Sequence, residues 1–148
     1  MPAPMARGKE AVMTPNTIYL TRLVGLFLLI LAVAELSQPA TLAKTEIAMV
    51  SQPALLLVVG LITLLAGLAL VLAHNIWSGG PAAILVTVLG WMLLFKGAAL
   101  VILPSSTWEA IVEASGFPTH YSLYSIPSLL LGAYLTRAGF SARSIGNS

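Results

Sequence analysis

The stretch GWMLLFKGAALVILP, residues 90–104, carries one charge, the ammonium of Lys96. In an otherwise apolar run such a group can pair with a carboxylate, hold water, bind a polar solute or relay a proton. A charge at the centre of a bilayer costs about 2.5–3.5 kcal/mol on insertion scales, so a partner or a wet cavity is expected. Glu35 is the only acid inside any apolar run and is the candidate partner. If the run holding Lys96 is centred near residue 93, the lysine lies about 4–5 Å past the midplane, Glu35 lies about 12 Å past its own, and the axial gap is roughly 7 Å. Helical side chains lean toward the N-terminus. That lean carries Lys96 back toward the membrane centre, which opposes snorkelling outward. Gln52, Tyr124, Ser125 and Ser128 fall in the same half of their runs and complete a candidate polar pocket. Three readings stay open: a structural ion pair, a solvated or snorkelling lysine, and a transport, ligand or proton-relay site.

A second group, His74, Asn75 and Trp77, lies between two apolar runs. Its types suit an interfacial belt and a turn, with ligand binding as the alternative. His120 falls on the opposite membrane face, so the two histidines cannot share one haem or metal. Cysteine and aspartate are absent, which excludes disulfides, thiolate nucleophiles and cysteine-ligated metal centres. Neither a carboxylate cluster, a Ser–His–acid arrangement nor a phosphate loop can be read, so no catalytic, cofactor-binding or metal-ligating residue is assigned and an enzyme is not expected. The formal charge of +2 is small and gives no nucleic-acid footprint.

The elements that would position these residues are set by hydropathy. The chain is 58% hydrophobic and 8% charged, against about 25% charged in an ordinary soluble domain. Four apolar runs, at about 18–36, 53–73, 82–103 and 121–138, predict an all-α polytopic membrane protein. In hydrocarbon every backbone polar group must be paired, and a helix does this within itself. The fourth run is the shortest and most polar, and Pro127 should kink it or disturb its first turn. Arg7, Lys9 and Arg22 flank the first run, and Arg137 and Arg143 the fourth. The positive-inside bias then puts both termini in the cytoplasm. Arg22 leans toward the inner headgroups and needs no partner. A rival reading takes residues 1–34 as a cleaved signal peptide, since Arg22 and twelve apolar residues precede AVA. Met13 as the true start is a further alternative.

Residues 1–17 and 141–148 are expected as cytoplasmic tails, the first of them disordered, and 37–51 as a short outer loop. Residues 74–81 should form a tight turn broken by Gly79, Gly80 and Pro81. Residues 107–115 predict an interfacial helix with Ser106 and Glu109 as a capping box, Trp108 as anchor, and Gly116 and Pro118 as its stop. Gly25 precedes Pro39 by the same fourteen residues that separate Gly90 from Pro104, which suggests two tandem helical hairpins. Glycines seven apart, Gly60 and Gly67, Gly90 and Gly97, Gly132 and Gly139, mark one stripe per helix for close packing in lipid.

The segments LAHNIWSGGP and LVTVLGWMLLFKGAALVILP resemble a family of uncharacterised four-span bacterial integral membrane proteins. The resemblance rests on His74, Asn75, Trp77, Gly90, Trp91, Lys96, Gly97 and Pro104. It implies an inner-membrane location and no known activity. The expected role is a non-enzymatic accessory or assembly component of the bacterial inner membrane. The alternative is a small transporter or channel using Lys96 and Glu35. The expected partners are the lipid bilayer and either a second copy or another membrane protein.

Overall fold

The computed structural model describes residues 12–144, with side chains described for 13–116 and 125–142. The expected tails at 1–11 and 145–148 lie outside the described residues, as do the side chains of His120 and Tyr124. Helices α1 (Pro15–Ser37), α2 (Pro39–Val50), α3 (Pro53–Ala73), α4 (Pro81–Ile102), α5 (Ser105–Ala114) and α6 (Phe117–Ser141) follow in order. All but α5 carry proline in the first turn, where the missing N–H is no loss and the fixed φ suits a helix start. Helices α1, α3 and α4 are long and apolar enough to cross a membrane.

Several boundaries differ from expectation. Residues 12–17 are structured: α1 starts at Pro15, and β1 (Val12–Met13) pairs in parallel with β2 (Arg143–Ser144). Residues 39–50 form helix α2 instead of a loop. Helix α5 begins at Ser105 behind Pro104 and has no side-chain cap, so the Ser106–Glu109 capping box is not formed. Helix α6 begins four residues before the expected run and continues through Pro127. Gly116, at φ 62°, separates α5 from α6 as expected.

The glycine stripes are the seams of the fold. Helix α3 packs along α4, and α1 along α6. A Cβ built on Gly67 would strike the backbone of Leu93 and Leu94, and one on Gly97 the backbone of Thr63 and Leu64. Gly60 meets Leu100 and Val101, while Gly90 meets Leu70 and Val71. Moving seven residues up one helix moves the contact seven residues down the other, so the pair is antiparallel and zipped from both sides. The second pair repeats the scheme: Gly25 meets Leu135 and Thr136, Gly132 meets Leu28 and Leu29, and Gly139 meets Thr21 and Arg22. Close backbone approach of this kind replaces the hydrophobic drive that lipid removes.

The tandem repeat is present with an offset of 65 residues. Pro39 matches Pro104, Pro53 matches Pro118, Gly25 matches Gly90, and Gly67 matches Gly132. The units are α1–α2–α3 and α4–α5–α6. They are not two self-contained hairpins, and that expectation is corrected. The first helix of each unit zips onto the third helix of the other. This exchange makes α1 and α4 parallel neighbours.

One end of the bundle, here the turn end, carries β1, β2 and the 74–80 turn. The other, the strap end, carries α2 and α5. At the turn end a buried core of Met13, Ile18, Leu20, Ala82, Val86 and Leu135 joins the two helix pairs. At the strap end Val50, Leu56 and Leu100 are buried together, with Met49, Trp108 and Val112 against them. Among the described side chains, that second cluster is drawn from α2, α3, α4 and α5.

Candidate functional site

Asn16, His74, Asn75 and Thr87 at the turn end are each bonded within the fold. His74 ends α3 and is 1% exposed, and its Nε2 lies 3.2 Å from the carbonyl of Ala83. Thr87, fully buried on α4, accepts from the N–H of Ile76 at 3.1 Å and donates to the Ile76 carbonyl at 2.9 Å. These bonds hold the turn against its own helix, while Gly79 and Gly80, at φ 92° and 110°, let it reverse. Asn75 Oδ1 accepts from the indole N–H of Trp77 at 2.9 Å and of Trp91 at 3.4 Å. The His-Asn-x-Trp segment and the Gly-Trp pair that follows it are therefore one hydrogen-bonded unit. Asn16 ties α1 to this turn by donating to the Ala73 carbonyl at 2.7 Å.

Arg22 does more than lean toward an interface. It is half-buried, its Nε donates to the Gly139 carbonyl at 2.8 Å, and its guanidinium lies 4.8 Å from the centre of the Phe140 ring. A cation on the last turn of α6 also suits the helix dipole. By the 65-residue offset Arg22 corresponds to Thr87, and Gly139 to His74. Thr87 Oγ1 lies 3.5 Å from the His74 carbonyl. Both units thus reach the end of their zipped partner from the same position. Neither role was legible from composition. The repeat offset is the signal that links them.

Lys96 and Glu35 are placed differently from the expected pair. Among the described residues neither makes an ion pair. Lys96 is exposed, and Glu35 is half-buried. Their helix stripes explain the relation. Lys96 lies seven residues beyond Leu89 and eleven beyond Leu85, on the α4 stripe that packs into the turn-end core. The matching α1 stripe runs Leu20, Val24, Leu31. Leu20 is 7% exposed, whereas Leu31 is 37% exposed. Both stripes are packed at the turn end and exposed further along, at Leu31 and Lys96. Glu35 lies one turn beyond Leu31 on α1.

The other members of the expected pocket lie on α6 and at the start of α3. Gln52 is the exposed N-cap of α3. Ser125 is buried on α6 and Ser128 is half-buried on the same helix, which zips to α1. Tyr124 lies outside the described side chains. The strap end instead has an open groove of about 370 Å³ between α2 and α5, lined by Ile47, Val50, Ser51, Glu109, Val112 and Glu113. Trp108 turns inward onto the Val50–Leu56–Leu100 cluster, and its Nε1 is buried with no partner. Thr21 Oγ1 and Thr136 Oγ1, beside the α1–α6 seam, and His74 Nδ1 are buried without partners as well.

No family model, curated protein or solved structure matches this chain.

Proposed function

We propose that the chain is a four-span component of the bacterial inner membrane with both termini in the cytoplasm, serving as a non-enzymatic accessory or assembly protein. The fourth span is α6. Its hydropathy is modest, but it is zipped along α1 by Gly25, Gly132 and Gly139, so a membrane crossed by α1 holds α6 beside it. The orientation follows from Arg22, Arg137 and Arg143 at the turn end. At the strap end Lys44 is accompanied by Glu35, Glu46, Glu109 and Glu113. The observation that carries the accessory role is the commitment of His74, Asn75, Thr87 and Arg22 to backbone carbonyls, N–H groups and indoles of the fold itself. Side chains so engaged hold helices and offer little to a reacting substrate. The same hydrogen-bonded unit is the part that resembles the uncharacterised four-span family, and membership in it belongs to this proposal.

The partner is a second copy or another membrane protein. Affinity purification in mild detergent, with identification of co-purifying proteins and solutes, tests the role. A stoichiometric protein or a defined homo-oligomer is expected, and a lone monomer carrying a solute overturns it. Single cysteines in this cysteine-free chain test the topology. Positions 10, 78 and 145 should be protected from impermeant reagent in intact cells, and 44 and 110 should label. The second reading, a small transporter, is favoured by one observation: Lys96, a charge inside an apolar span candidate, is exposed.

A further inference from the structure

We propose that two small residues, Ala32 on α1 and Ser125 on α6, decide which helices pair, so that each three-helix unit takes the other unit as its partner and rejects a copy of itself. The long packing contacts all run between units, α3 along α4 and α1 along α6. At the two levels nearer the turn end the seams are interchangeable. Gly90 faces Leu70 and Val71, and Gly25 faces Leu135 and Thr136, the same pair 65 residues on. Gly67 faces Leu93 and Leu94, and Gly132 faces Leu28 and Leu29, again in register. On these contacts alone α1 could zip onto α3 as well as onto α6, and α4 onto α6 as well as onto α3.

Nearer the strap end the seams differ. On the α3–α4 seam the next two small residues are Gly97 and Gly60. Their counterparts on α1 and α6, by the same offset, are Ala32 and Ser125. Ala32 lies seven residues past Gly25 and Ser125 seven before Gly132, so each continues the seam stripe of its helix. Both are buried, at 0% and 1% exposure. Zipping α1 onto α3 would set the Ala32 methyl where Gly97 stands, and a Cβ there lies 2.5 Å from Leu64 Cα. Zipping α4 onto α6 would set Ser125 where Gly60 stands, and a Cβ there lies 2.9 Å from Leu100 Cβ before the hydroxyl is added. Each mispairing therefore carries an overpacking clash. The exchanged pairing avoids it, because α1 and α6 bring their larger residues to each other while α3 and α4 meet through glycine. The same clash meets a second copy of either unit arriving in trans, since a homopair must zip α1 onto α3 or α4 onto α6. A clash against the wrong partner gives specificity without added attraction to the right one.

Cutting the folded full chain in place tests this. A protease site goes between Ser78 and Gly79, where Ser78 is exposed and neither Gly79 nor Gly80 has a neighbour within 4 Å of a built Cβ. The chain is cut in mild detergent into 1–78 and 79–148. Pools carrying different mass tags are then mixed under conditions that let the units exchange, and native mass spectrometry counts the pairs. Pairs holding one unit of each kind should dominate. Ala32→Gly should raise the 1–78 homopair by at least about fivefold, the low end of what overpacking costs. Ser125→Gly should do the same for the 79–148 homopair. Ala34→Gly, at an exposed position of α1, should leave the ratios unchanged. Units that separate on cutting, or homopairs as abundant as mixed pairs in the parent, would overturn the proposal. So would homopairs that neither Ala32→Gly nor Ser125→Gly increases.

Discussion

Gly97→Ala tests the seam that organises the fold. The new Cβ would lie 2.5 Å from Leu64 Cα and 2.8 Å from Thr63 C, whereas ordinary contact begins at 3.4 Å. Backbone cannot rotate away as a side chain does, so α3 and α4 must separate by about 1 Å, and a gap of that size forfeits a quarter to a half of each dispersion contact along the seam. Overpacking costs about 1–3 kcal/mol, while replacing a helical glycine by alanine returns up to about 1 kcal/mol of intrinsic propensity. The expected net loss is about 1–2 kcal/mol by the same figures. Gly60→Ala is the control. Its nearest neighbours are Leu100 Cβ at 2.9 Å and Val101 Cγ2 at 3.1 Å, with backbone only at 3.2 Å. Leu100 Cβ moves only with its own backbone, so this clash also parts the helices, but by about 0.5 Å, and the net loss should be about half that of Gly97→Ala. Reversible unfolding in mixed micelles, followed by helical dichroism and tryptophan emission, measures both. If Gly60→Ala costs as much as Gly97→Ala, or if Gly97→Ala costs nothing, the seam is not the close backbone contact described above.

Three further outcomes follow from the polar contacts. Arg22→Met removes the bond to the Gly139 carbonyl and the Phe140 stacking. It should cost about 1.5–3 kcal/mol in the same assay, with Arg22→Lys recovering only part because the planar fork is lost. Asn75→Ala leaves the indoles of Trp77 and Trp91 without their shared acceptor. It should cost about 0.5–1.5 kcal/mol and raise acrylamide quenching of tryptophan emission; unchanged quenching would show that the turn does not depend on this clamp. Thr21→Val and Thr136→Val each replace a buried hydroxyl that has no partner. Each should be neutral or stabilising by up to about 1 kcal/mol, since the desolvation cost of the hydroxyl disappears. A clear loss for either would mean that the hydroxyl is bonded in the membrane.

The sequence carried the helices and the seams, because hydropathy and glycine spacing are local signals. The runs at 53–73 and 82–103 match α3 and α4 almost to the residue, and each of the three glycine pairs lies at a helix contact. Pairing was not legible in the same way. Which helix a glycine stripe meets depends on the third dimension, and two similar units permit either hairpins or exchange. Helix α2 was missed for a different reason. Its composition, PATLAKTEIAMV, is mixed and its length is short. The match of Pro39 to Pro104 nevertheless places residues 39–50 opposite α5, so the repeat could have predicted it. The roles of Arg22 and Thr87 were hidden because each acts on backbone far along the chain.

The internal repeat also separates what the fold requires from what it does not. Gly25 and Gly90, Gly67 and Gly132, and the prolines that open the straps and third helices coincide across the two units because each unit must make the same seam and the same turns. Lys96 breaks that rule, since its counterpart is Leu31. Glu35 breaks it too, since its counterpart is Leu100. Leu31 and Leu100 show that an apolar side chain serves the fold at both places, and Leu100 is 6% exposed in the strap-end cluster. The packing of a four-helix seam therefore demands neither charge, while the bilayer penalises at least the lysine. Two opposite charges, each standing where the other unit has a leucine, are not accounted for by the helix seams. The substitutions Lys96→Leu and Glu35→Leu together make the units alike at these positions. The double variant should fold at least as stably as the parent in detergent unfolding. A double variant that fails to fold would return both charges to a purely structural role.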